Sequence, residues 1–143
     1  MRHLGLVFVL LSLSSLQLFA FQRLVPGDRL WSYEEAHDGF MGWVIDQLEA
    51  AGFDAPKQGE EFAWSKYLSP VDTTDVPQKW DIVKFLDEKG EGHGALVLDM
   101  GKNGPVVKKP IGDGLVILMA IDNSQVVGYL RPHKANSRDA PHI

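Results

Sequence analysis

The stretch that most narrows the choice of folds runs from Asp81 to Leu130, where short apolar runs alternate with turn-forming residues. Asp81-Ile82-Val83-Lys84-Phe85-Leu86, Gly94 to Met100, Pro105 to Lys109, Leu115 to Ile121 and Gln125 to Leu130 each read as a strand. Between them stand the polar loop Asp87 to Gly92, the hairpin signal Gly101-Lys102-Asn103-Gly104, the turn Gly112-Asp113-Gly114 and the pair Asn123-Ser124. Connections this short join antiparallel neighbours, so the second half is expected to be an antiparallel meander. Pro105 opens its run, where a missing N–H is tolerated. Leu115 to Ile121 is apolar without interruption and is expected as a central strand covered on both faces.

The first half has the other period. Ala36, Phe40, Val44, Leu48 and Ala51 recur at helical spacing and form one apolar stripe. Asp38 is placed to cap the first turn, and Gly52 to end the helix in a left-handed conformation. Gly39 and Gly42 each cost about 1 kcal/mol of helix propensity against alanine, which points to a close approach to the helix backbone. Ser32-Tyr33-Glu34-Glu35 matches a capping box and can start a preceding turn. Glu60 to Leu68 is expected as a short helix with Phe62, Trp64 and Tyr67 on one face, and Ser69 to Lys79 as a long connection. Helices followed by a meander give an α+β class, with N-terminal helices packed on a roughly five-stranded antiparallel sheet.

With 143 residues, 45% of them hydrophobic and 23% charged, the chain can bury one core and is not globally disordered. A formal charge of −5 and the lack of any basic stripe argue against a nucleic-acid partner. The absence of cysteine excludes disulfides, thiolate metal sites and a cysteine nucleophile. Residues 1–20 read as a signal peptide, with Arg2 as the positive region, Leu4 to Leu11 as the apolar run and Ala20 at the cleavage point; a retained membrane anchor is the alternative. The expected organisation is a leader over 1–20, a domain over 21–132 and a disordered tail over 133–143, in a secreted or periplasmic protein. A membrane is a partner only if the leader is retained.

The order of these elements resembles the NlpC and CHAP group of papain-like cell-wall hydrolases, over roughly Trp31 to Pro132. Gly39-Phe40-Met41-Gly42-Trp43-Val44 running on to Ala51-Gly52 resembles the group's main helix. Trp80-Asp81-Ile82-Val83-Lys84-Phe85 after Pro77 resembles its Pro-Gly-Asp-Ile-Val-Phe strand, and Gly92-His93-Gly94-Ala95-Leu96-Val97 its Gly-His strand. Val127-Gly128-Tyr129-Leu130-Arg131-Pro132 is a frequent ending there. The resemblance implies a papain-like fold in which a cysteine opens the helix, a histidine serves as base and a polar residue on the next strand orients it.

The departures from that pattern shape the functional expectation. Phe40 stands at the nucleophile position, or His37 if the helix is read three residues earlier, and neither is a cysteine, serine or threonine. The third position falls on Lys108, with Lys109 beside it, and an ammonium has no acceptor for an imidazole N–H. Trp80 replaces a glycine, with bulk to cover part of the cleft. Of the group's triad only His93 remains. His37, Asp38, Trp43 and Trp80 are the candidate ligand-contacting residues, no metal or cofactor is expected, and Asp81, Asp99 and Asp113 form no pair readable from sequence. The leading expectation is a non-catalytic domain that binds a peptide, a cell-wall fragment or a partner protein. The alternatives are an active amidohydrolase or peptidase using His93 with an unconventional nucleophile, and a structural or inhibitor-type protein.

Overall fold

The computed structural model describes residues 21–24, 40–56, 65–112 and 114–135. Among these residues one helix, α1 (Phe40–Ala50), precedes six strands: β1 (Leu68–Pro70), β2 (Ile82–Leu86), β3 (Gly92–Met100), β4 (Pro105–Gly112), β5 (Leu115–Ala120) and β6 (Val126–Pro132). A 3₁₀ turn, Asn123–Gln125, stands before β6; Asp122 caps it by accepting from the Ser124 N–H. All six strands form one antiparallel sheet in the order β1-β6-β2-β3-β4-β5.

The expected fold class is therefore corrected. The chain is mostly antiparallel sheet, six strands rather than five, with one short helix among the described residues instead of several helices packed on the sheet. The extra strand is β1, which lies where a helix end and a connection were expected and pairs with the end of β6 through Leu68 and Pro132. Leu115 to Ala120 is the second correction. It is an edge strand, not a central one, because among the described residues β5 pairs with β4 alone. Its apolar residues are consequently open, with Leu115 60% and Leu118 67% exposed.

The sheet has two differently covered faces. Ile82, Leu96 and Leu130 point to the side where α1 lies, and they pack with Phe40, Met41, Val44 and Leu48. Those four are the apolar stripe of α1 as realised, while Ala51 lies past its end and is exposed. Gly52 follows at φ +88°, the left-handed conformation expected of the residue that ends the helix. On the opposite face Val83, Phe85, Ala95, Val97, Val107 and Tyr129 form a second core with Val71 and Ile121. Phe21 closes it edge-on against Tyr129, with ring centroids 5.0 Å apart. The segment carrying Phe21 runs across β6, where Gln22 N–H donates to Val127 O at 2.8 Å.

Two local features hold the meander in register. Gly104, at φ +151°, ends the β3–β4 turn, and a Cβ there would sit 1.9 Å from Ile121 O. No other residue fits this close approach. Asp81, only 1% exposed, opens β2 and receives Arg131 from β6 through Nε at 3.0 Å and Nη2 at 2.9 Å. The same carboxylate accepts from the Gln78 N–H at 2.8 Å, so one buried charge anchors both the strand pair and the loop before it. His133 to Ala135, part of the expected tail, are among the described residues. Residues 133–135 fold back on the end of α1, with Asp54 N–H donating to His133 O at 2.9 Å and Ala135 N–H to Gly52 O at 2.9 Å. The remainder of that expected tail, the leader over 1–20 and the Ser32 capping box lie outside the described residues.

Candidate functional site: a lysine between two tryptophans

Trp43 and Gln47 lie four residues apart on α1, the spacing that puts two side chains on one helix face. They meet Lys108, which stands on β4 directly opposite Leu96 and so points to the α1 side of the sheet. Its ammonium donates to Gln47 Oε1 at 2.6 Å. It also lies 5.8 Å from the centre of the Trp43 ring and 5.3 Å from that of Trp80, within cation–π range of both. Lys108 is half-buried, and among the described residues no carboxylate pairs with it.

Trp80 reaches this position through an unusual backbone. Its φ is +77°, the one positive value at a non-glycine residue among those described. A bulky side chain in that region is strained, and such strain persists only where surrounding contacts hold it. Here the Trp80 N–H donates to Val97 O at 2.9 Å, and the anchored Asp81 follows immediately. Phe53 flanks the indole at 6.4 Å, and Lys79 lies 5.5 Å from its centre. Trp43 is backed by Phe40, with ring centroids 6.1 Å apart. The result is a half-buried cation framed by two aromatic surfaces and one neutral amide.

His93 belongs to a separate cluster. It pairs with Phe85 across β2 and β3, and its ring lies 5.6 Å from the Phe85 ring, on the face away from α1. Its Nε2 donates to Asp87 Oδ2 at 2.8 Å. Asp87 Oδ1 accepts from the N–H groups of Lys89 and Glu91 at 2.8 and 2.9 Å, which shapes the turn between β2 and β3. The His93 hydrogen bond, followed by that from the Glu91 N–H, holds the Asp87 carboxyl below the usual range. Donor atoms of Asp87, Glu91 and His93 come within 4.8 Å of one another, close enough to share a cation, but Asp87 already uses both oxygens inside its own turn.

The residues singled out from sequence are thus divided. Trp43, Trp80 and Lys108 come together. Phe40 is 2% exposed and packs in the α1 core, so its ring serves as core and as backing for Trp43. His93 lies across the sheet from both Phe40 and Lys108, so the three positions of the hydrolase pattern are not gathered in one cleft. His37 and Asp38 lie outside the described residues. Sequence reasoning missed Gln47 and the turn carboxylates Asp87 and Glu91. The spacing of Gln47 from Trp43 was a usable signal, as was an Asp-to-His run closing a short β-turn. No family model, curated protein or solved structure matches the chain.

Proposed function

We propose that this is an exported, non-catalytic domain that binds a peptide through a carboxylate, held by Lys108 between Trp43 and Trp80. The observation that carries the reading is the state of Lys108. A half-buried ammonium is costly to leave without a counter-charge, and among the described residues it has only a neutral amide and two ring faces. An ammonium carries three donors, so two remain for a ligand oxygen once Gln47 is satisfied. The indoles offer flat surface for the atoms next to that carboxylate. An exported domain of this kind would meet cell-wall peptides, which carry free carboxylates.

The test is a titration of the full chain by tryptophan fluorescence with a muropeptide digest and with the same digest after carboxyl amidation. A saturable change with the first, lost with the second and lost in Lys108→Gln, is the expected result. No saturable change with either would refute the reading. A second reading rests on the Asp87–His93 pair, since a carboxylate that fixes an imidazole is the orienting half of a general base. Clearing of a peptidoglycan zymogram that disappears in His93→Ala would establish hydrolysis and displace the binding proposal.

A further inference from the structure

We propose that β5 is the self-association edge of this protein, pairing antiparallel with β5 of a second copy about a two-fold axis at Leu118. The two edges of the sheet differ in a way that points there. β1 is only three residues long and ends in Pro70, two common defences against edge-to-edge pairing. β5 is six residues, Leu-Val-Ile-Leu-Met-Ala, and contains no proline and no charge. Its register shift against β4 lies at the start, between Pro110 and Gly112, which leaves the rest of the strand regular. Leu115, Val116 and Leu118 are 60%, 45% and 67% exposed, and Ile111 beside them is 54% exposed. Apolar residues open on both faces of an unprotected edge are what a paired strand needs and what a solitary edge avoids.

The occupant follows from self-complementarity. A chain with formal charge −5 repels its own copy, and β5 is a stretch where two copies can meet without opposing like charges. A two-fold axis perpendicular to the sheet keeps each face on its own side and places Leu118 against Leu118 and Val116 against Ala120. In that register Asp122 of one copy stands opposite Gly114 of the other, so no carboxylate faces another there. Leu115, Val116 and Leu118, with Ile117, Met119 and the backbone edges of β5, let a dimer hide on the order of 1,000 Å², the least that a specific contact needs. A closed pair of moderate affinity is the expected species. Lys108 is the register partner of Leu118, so the two Lys108 residues of a dimer fall in one row on the same face. At about 4.8 Å per strand they are roughly 14 Å apart, and the two tryptophan-framed sites face the same way.

The chain has no cysteine, which makes one substitution decisive. Leu118→Cys is expected to form a single reducible cross-linked dimer on mild oxidation, since directly opposed residues fall within disulfide reach. Sedimentation of the unaltered full chain is expected to show a concentration-dependent monomer–dimer equilibrium. Leu118→Lys is expected to be monomeric, with an unchanged circular dichroism spectrum. A monomer persisting to roughly 0.5 mM, where a contact of this size is populated, overturns the proposal. So does a Leu118→Lys variant that stays dimeric, open-ended assembly in place of a closed pair, or β5 amides protected from exchange only by a different polypeptide.

Discussion

Replacing Arg131 by methionine isolates the interaction on which the sheet centre depends. Methionine keeps the apolar length of the side chain but removes both hydrogen bonds to Asp81, at 3.0 and 2.9 Å, and the one from Nη2 to Val76 O at 3.1 Å. Asp81 cannot escape to water, being 1% exposed, and would keep only the Gln78 N–H. Removing one partner of a buried ion pair costs about 3 kcal/mol or more, because the other charge is left in a poorly solvating site. With a urea slope of about 2 kcal/mol/M, the unfolding midpoint should fall by about 1.5 M. Chemical denaturation followed by circular dichroism measures it. Fluorescence adds a local readout, since the loop that places Trp80 loses its tether at Val76. A second variant, Asp81→Leu with Arg131→Met, should recover most of the loss by removing the stranded charge. A midpoint shift under about 0.5 M in Arg131→Met, at unchanged slope, would refute the assignment of Asp81 and Arg131 as the anchor of β2 and β6.

Gly104→Ala should cost at least about 2 kcal/mol, since the new methyl would collide with Ile121 O, whereas Gly90→Ala, at φ +79° with open space around it, should cost only about 1 kcal/mol; parallel denaturation curves compare the two. Asp87→Asn should lower stability at neutral pH but not in acid. The Asp87 carboxyl is held below its ordinary value of 3.8, so its contribution is present above that value and is lost as pH falls through the lower folded one. The gap between the thermal melts of the two proteins should therefore hold down to about pH 4 and close only as the pH falls further, and a gap that stays constant well below that range would show that the His93 contact does not act through charge.

Most strands were legible because their cues are local. Alternating apolar runs bounded by Gly101, Gly104, Gly112 and Gly114 specify strands and turns over a few residues, and the structure places β2 to β6 within a few residues of those expectations. The core stripe of α1 was legible for the same reason, as was the role of Gly52. β1 was not, because three residues carry no period; it is a strand only by virtue of pairing with β6. Of the candidate site, the residue types Trp43, Trp80 and Lys108 stood out in the chain, but their meeting did not. Lys108 and Gln47 are 61 positions apart, and nothing local brings them together.

What the sequence by itself determined is a set of strands in antiparallel succession, one amphipathic helix and a chain without thiol chemistry, all consequences of side-chain period, turn residues and composition. Only the tertiary structure decided which strand ends the sheet and which face each side chain takes. An uninterrupted apolar run is written identically for a buried strand and for an edge awaiting a partner, so β5 could not be placed from its residues. His93 and Phe40 were separated by strand register and by the side on which α1 packs, and both are set by contacts between segments distant in the chain.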